Sequence, residues 1–272
     1  MSSRLRVVYV DHCAQLSGAE LALLRLLPAL AEAVDAHVLL AEEGPLVAKL
    51  EAAGVSVEVL PMAEVARGLS RHRVQPGVLP GASVFHTARY IAVVVRRLRQ
   101  LRPDLVHTNS LKAGVYGSVA ATLARVPVVW HAHDSLETDY LPPAAIRMVR
   151  AMVRHLPAMV IANSQTTRDR LGAPGVPTAV IPPPVHIEAA SRSRPADSPL
   201  RIGMVGRLAP WKGQHLFLEA FARAFPNGTE QAVVVGAPLF GERDYEQALR
   251  DHVVKLGLSE RVQLTGFRDD VG

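Results

Sequence analysis

One cysteine, Cys13, stands in the 272 residues, which excludes an intrachain disulfide framework and points to a reducing compartment, with the cytoplasm expected. Nowhere do apolar residues run for the roughly 18 uninterrupted positions of a spanning helix, and the apolar run inside the first ten residues is too short for a signal peptide. A soluble chain is expected. Aromatic residues make up 5% of the chain and the net charge is +5. With no aromatics at the spacing of a base-stacking platform and no nucleic-acid-binding motif, no nucleic-acid partner is expected. The charge suits anionic lipid or phosphate-bearing ligands and selects neither.

What the chain does have is apolar sequence, 49% hydrophobic against 20% charged residues, enough for two globular domains or for one and part of another. Val- and Ile-rich runs at 5–10, 36–41, 55–60, 104–108, 127–132 and 158–163 alternate with helical patterns. Apolar on both faces, they predict a buried parallel sheet. Between the first two runs, Leu21, Leu24, Leu27 and Ala31 recur at helical spacing. Ser17 reads as the N-cap and Glu20 as its capping-box partner, with Pro28 kinking or shortening the helix.

Over 187–199 the apolar periodicity lapses and Ser, Arg, Pro and Ala gather, as in an interdomain linker. A second α/β pattern follows, with strands at 200–205, 231–236 and 261–266 and helices at 214–225 and 245–256. Three strands fall short of the roughly five or six of a doubly wound domain, so the rest is expected beyond Gly272. The expected fold class is α/β: two Rossmann-like doubly wound domains, the second incomplete, at 1–186 and 200–272 with the linker at 187–199.

Open α/β sheets bind ligands at the carboxyl ends of their strands. After the first strand, Ser17 and Gly18 enter a helix whose N–H groups and dipole suit a phosphate, although a capped helix without ligand has the same pattern. After the fourth come His107, Thr108, Asn109 and Ser110, and after the fifth His131, His133 and Asp134. Alternation along a strand puts His131 and His133 on one face, as the first two ligands of a zinc site or as a structural pair. No further closely spaced ligands follow; the chain runs on as Ser135, Leu136 and Glu137.

The most informative segment is 203–221. A strand ends at Gly206, Arg207 follows, and Lys212 and Gly213 open an amphipathic helix. A guanidinium that binds oxygens bidentately, an ammonium and a helix N-terminus suit a diphosphate leaving group, against the plain alternative of a solvated loop.

Residues 85–102 place Ile91, Val94, Val95, Leu98 and Leu101 on one helical stripe and arginines 89, 96, 97, 99 and 102 around the rest. Such a helix either covers the sheet and ends at Arg102-Pro103, or rests on anionic membrane.

The G-R-x4-K-G pattern of Gly206, Arg207, Lys212 and Gly213 resembles the start of the C-terminal domain in family 4 glycosyltransferases, retaining enzymes of GT-B fold. The segments SGAE (17–20), DLVHTNSLKAGVYG, VPVVWHAHDS and VIANSQTTRDRL are similar to that family in the same order, so the resemblance spans the chain. It implies transfer of a hexose-type sugar from a nucleoside-diphosphate sugar, UDP- or GDP-linked, to an acceptor hydroxyl on a lipid, glycan or small molecule. Carried over by position, Arg207, Lys212 and Gly18 hold the donor diphosphate, and His133 faces the reacting sugar as the catalytic residue, with His131 competing for that role. Asn109, Ser110, His131 and Asp134 are candidates for sugar or acceptor contacts, and Phe267 and Arg268 for the base.

The family's E-x7-E glutamates do not occur in these residues. No cofactor and no catalytic metal are expected, and the chain has no D-x-D triplet of the kind that holds a divalent ion in the other common glycosyltransferase fold. The variable loop near 67–84 is expected to share in acceptor choice. The rival readings are a sugar-nucleotide epimerase or hydrolase on the same fold and a non-catalytic nucleotide-sugar-binding protein. The expected place is the cytoplasm, with peripheral contact at the inner face of the membrane as its variant.

Overall fold

The structure is a computed structural model that describes residues 4–63, 81–134, 136, 141–184, 198–239 and 241–268. The chain divides into two units, Met1–Pro184 and Val185–Gly272. Apart from 198 and 199, the expected linker lies outside the described residues, as does most of the expected loop at 67–84.

In the first unit the apolar runs form a seven-stranded, all-parallel sheet: β1 (Leu5–Asp11), β2 (Val34–Leu40), β3 (Ser56–Val59), β4 (Leu105–Thr108), β5 (Val128–Ala132), β6 (Met159–Ala162) and β7 (Thr178–Val180). Their order is β3-β2-β1-β4-β5-β6-β7, so the winding reverses between β1 and β4 and opens a switch-point crevice at their carboxyl ends. Six strands follow the expected runs. The short edge strand β7 has no comparable run, because its residues are only half-buried.

Alternation along each strand feeds two cores. Val8 and Val10 pack with Tyr90, Val94, Leu98 and Tyr116 of helices α3 (Gly81–Leu101) and α4 (Leu111–Ala124). Val7 and Tyr9 pack with Leu23, Leu27, Leu46 and Leu50 of α1 (Gly18–Ala29) and α2 (Pro45–Ala52). Helices α5 (Pro143–His155) and α6 (Gln165–Leu171) close a third cluster on Trp130 and Val160. Each fully buried Leu or Val here contributes about 1.5–3 kcal/mol. Gly114 of α4 rides directly on Trp130: a Cβ there would meet the indole at 2.3 Å.

Helix α3 takes the sheet-covering role. Val94, Val95 and Leu98 are buried, and Ile91 and Leu101 pack against the same core. It stops where Pro103 disfavours a helical residue before it, and Arg102 takes φ 47°. Arg97 Nε donates to Glu58 Oε2 at 2.6 Å and Arg99 to the Leu123 carbonyl at 2.9 Å. No helix among the described residues is long and apolar enough to cross a membrane.

For α1 one expectation holds and one is corrected: Pro28 shortens the helix, and Ser17 does not cap it with its side chain. The helix ends at Ala29, one residue after Pro28, whose ring nitrogen has no N–H to continue the ladder, so Ala31 lies exposed in the following turn. Ser17 is the N-cap residue but makes no side-chain cap. Its hydroxyl donates instead to the Glu20 carboxyl group, which is buried and takes the nearest donor.

In the second unit, β8 (Arg201–Val205), β9 (Gln231–Val235) and β10 (Val262–Gly266) form a parallel sheet in the order β10-β9-β8. Helices α7 (Gln214–Ala224) and α8 (Arg243–Lys255) pack on it through Leu218, Phe221, Leu249 and Val253. These elements match the expected strands and helices within about two residues.

Candidate functional site

At the switch point, Asp11 ends β1 completely buried. Its carboxylate accepts from the His12 N–H (2.7 Å) and from Asn109 Nδ2 (2.7 Å), with His12 Nδ1 3.3 Å away. His12 Nδ1 also lies 2.7 Å from Ser110 Oγ, the N-cap of α4. Burial would raise the Asp11 pKa, but the hydrogen bonds and charge of His12, with those of Asn109 and Ser110, outweigh it and hold the group below its ordinary value.

Asn109 links this carboxylate to the histidines. Its Oδ1 lies 3.1 Å from His133 Nε2, and its Nδ2 donates also to the Ala19 carbonyl at 3.1 Å in the first turn of α1. The His131 and His133 rings lie 4.0 Å apart between centroids, so the expected common face is present. His131 Nδ1 lies 3.1 Å from His107 Nε2, and His107 in turn lies against Tyr9 with ring centroids 4.8 Å apart. Burial, reinforced by neighbouring imidazoles, pushes His107 down to about 4 and His131 to about 2. Burial also lowers His133, against the opposing charges of Asp11 and Asp134. His107 and His131 are thereby held neutral at pH 7.

Glu20, 2% exposed, is pushed up to about 8 by burial and then by the charge of Asp11, with Asp134 adding and the Ser17 hydroxyl opposing. Two nearby carboxyls thus have opposite states at neutral pH, Asp11 ionised and Glu20 mostly protonated. Gly18 is exposed at the α1 N-terminus, with open space where a Cβ would stand. Among the described residues no three His, Cys, Asp or Glu side chains are grouped to hold a metal ion.

In the second unit, Arg207 follows β8 and Lys212 ends a 3-10 turn, Pro210–Lys212, before α7. Gly213 makes the corner at φ 76° and is the N-cap of α7 with no side-chain cap. The loop is braced from beneath: buried Gln214 donates through Nε2 to the Arg207 carbonyl at 2.9 Å, and the Tyr245 hydroxyl donates to Gln214 Oε1 at 3.4 Å. Arg207 Nε lies 3.4 Å from Glu242 Oε2, and its guanidinium sits 5.2 Å from the Trp211 ring centroid. Lys212 is exposed. Phe267, 50% exposed, and Arg268 follow the carboxyl end of β10, two strands from β8.

Asn109, Ser110, His131 and His133 therefore come together, and Asp134 lies close enough to raise Glu20; Arg207 and Lys212 share one loop. Sequence reasoning missed Asp11, His12 and Glu242 and read Glu20 as a cap. The one available signal was a polar pair, Asp11-His12, closing an otherwise apolar strand.

Residues 16–189 match Glycosyltransferase Family 4, and residues 187–272 match Glycosyl transferases group 1. Among curated proteins, a D-inositol 3-phosphate glycosyltransferase of Geodermatophilus obscurus is 26% identical over 239 residues, 76% of this chain and 53% of the relative. The UDP-Gal:alpha-D-GlcNAc-diphosphoundecaprenol alpha-1,3-galactosyltransferase of Escherichia coli is 24% identical, over 99% of this chain and 70% of the relative. The chain thus spans about half the length of the first relative and 70% of the second. Anabaena HepE, solved in complex with UDP and glucose, is 29% identical with a TM-score of 0.79, covering 98% of this chain and 70% of that one. The architecture is of the α/β GT-B class, with two Rossmann-like units.

Proposed function

The chain belongs to Glycosyltransferase Family 4, and on that premise we propose that the protein it forms transfers a hexose-type sugar from a nucleoside-diphosphate sugar to an acceptor hydroxyl, with retention at the anomeric carbon and without a catalytic metal. The observation that carries this reading is the braced loop on which Arg207 and Lys212 precede the α7 N-terminus. There the charge of a departing diphosphate meets a guanidinium, an ammonium and backbone N–H groups. Gly18, exposed at a second helix N-terminus, presents backbone N–H groups to the same kind of anion. His133 faces the transferred sugar, Asn109, Ser110, His131 and Asp134 line the sugar and acceptor side, and Phe267 and Arg268 meet the base. UDP is the favoured nucleotide, supported by the UDP and glucose held by HepE.

The test uses labelled UDP-glucose and GDP-mannose with mixed glycan, inositol-type and lipid-linked acceptors. Label moving to an acceptor supports transfer, whereas donor turnover without acceptor favours the epimerase or hydrolase, and binding without turnover a nucleotide-sugar-binding protein. The anomeric proton coupling of the product tests retention, and activity unchanged in EDTA tests metal independence.

Peripheral contact with the inner face of the cytoplasmic membrane is supported by the outer stripe of α3, where exposed Phe85 stands with Arg89, Val93 and Arg96 opposite the buried stripe. Arg89→Glu with Arg96→Glu should release the protein from vesicles rich in anionic lipid; equal co-sedimentation of both forms removes this part of the reading.

A further inference from the structure

Asn109 is buried at the switch point, and its amide can be oriented from its partners. One end lies 2.7 Å from Asp11 Oδ2 and 3.1 Å from the Ala19 carbonyl oxygen. Both partners are acceptors, so this end is the NH2 group, with its two hydrogens used. The other end is Oδ1, which accepts only, and it lies 3.1 Å from His133 Nε2. His133 Nε2 must therefore donate, which in a neutral ring leaves the lone pair on Nδ1. The backbone at His133 is fixed as well: Asn163 Nδ2 donates to the His133 carbonyl at 3.0 Å, and Thr167 Oγ1 donates to Asn163 Oδ1 at 2.7 Å.

Resting on the reading that His133 faces the transferred sugar, we propose that Asn109, oriented by Asp11, is a positioning residue that holds His133 in its Nε2–H tautomer, so that Nδ1 accepts a hydrogen bond from a sugar hydroxyl. An imidazole free to exchange tautomers would present an acceptor to that hydroxyl only part of the time. The Asp11 charge has a defined part in this arrangement: it makes the wrong amide orientation, with Oδ1 facing a carboxylate and a carbonyl, strongly unfavourable.

The test is long-range 1H–15N correlation on the full chain labelled with 15N-histidine, which reads the tautomer of each neutral ring. His133 in the wild type should show a protonated Nε2 and an unprotonated Nδ1. Asn109→Leu should shift it to the mixture of a solvated imidazole, and Asp11→Asn, which removes the charge that orients the Asn109 amide, should shift it in the same direction. In turnover of UDP-glucose, Asn109→Leu should lower kcat about tenfold while donor KM stays within about twofold. An Nδ1–H tautomer in the wild type, or an unchanged tautomer in Asn109→Leu, overturns the proposal; if Asn109→Leu does not fold, the wild-type spectrum and Asp11→Asn still decide it. The underlying reading fails separately: it falls if His133→Ala turns over at the wild-type rate, whereas a wrong tautomer beside an inactive His133→Ala removes only the role given to Asn109.

Discussion

At the carboxyl ends of β1, β4 and β5 the polar residues are buried and bonded to one another, whereas after β8 and β10 Lys212, Phe267 and Arg268 stand exposed on loops. In the first unit, folding and the proposed chemistry therefore draw on the same side chains: Asp11, Asn109, His107, His131 and His133 sit where an unsatisfied group is costly. In the second unit, the scaffold of the loop is backbone and Gln214, and Lys212 projects from it. Substitutions at the first site should register as loss of stability, and those at Lys212 as loss of ligand. The two tryptophans make the contrast measurable, since Trp130 is buried in the first unit and Trp211 is exposed in the second.

Asp11→Ala should give the largest effect. It strips the acceptor from Asn109, His12 and Ser110 in a buried setting, and a cost of about 3 kcal/mol is expected. Urea unfolding followed by Trp130 fluorescence in a Trp211→Phe background measures it. A loss below about 1 kcal/mol would break the comparison, because the buried network would then be no more demanding than the exposed loop.

The pH dependence sharpens the same contrast. His107 and His131 have folded pKa values lowered from 6.5 to about 4 and about 2. The unfolded chain binds their protons first, so their contribution is present above 6.5 and is lost as pH falls toward those values. Glu20 works in the opposite direction, raised from 4.5 to about 8. Its contribution is present below 4.5 and is lost as pH rises toward 8. The first unit should thus be most stable near pH 6.5, and Glu20→Gln should flatten the alkaline side and steepen the rise between 4.5 and 6.5. A Trp130 unfolding midpoint still rising from pH 6.5 to 8 in the wild type would contradict this assignment.

Packing alone gives the next step down. Gly114→Ala places a methyl group where the Trp130 indole already lies, so either the helix or the ring must move. About 2 kcal/mol is expected, read from the same Trp130 transition, with the Trp211 signal of the second unit unmoved. A neutral substitution would show that α4 shifts without loss.

The fold was readable in the sequence wherever burial imposed a period. Both faces of β1, β2, β4 and β5 are covered, so their runs of Val and Leu stand out, whereas half-buried β7 leaves no pattern. The histidines, Asn109 and Ser110 were visible as polar residues following apolar strands. Asp11 was absorbed into the strand it ends, and Glu20 sat at the spacing of a capping box while its side chain is buried beside Asp11. Glu242 is 35 residues from Arg207 in sequence, and only the folded sheet brings them to 3.4 Å. Such partners depend on tertiary contact, for which local periodicity has no signature.

Lys212→Ala should leave stability within about 0.5 kcal/mol, because the side chain is exposed and the loop is held by Gln214 and the Gly213 corner. UDP affinity should nevertheless fall about tenfold, the scale of one lost charge-assisted hydrogen bond to phosphate. Calorimetric titration with UDP at two salt concentrations isolates the electrostatic part: the deficit should shrink as ionic strength screens the exposed ammonium. Unchanged UDP affinity in a folded Lys212→Ala protein would remove Lys212 from the donor site and leave Arg207, held by Glu242 and Trp211, as the cation to test next. A drop in stability of more than about 1 kcal/mol would instead show that the exposed loop takes part in folding as the buried network does.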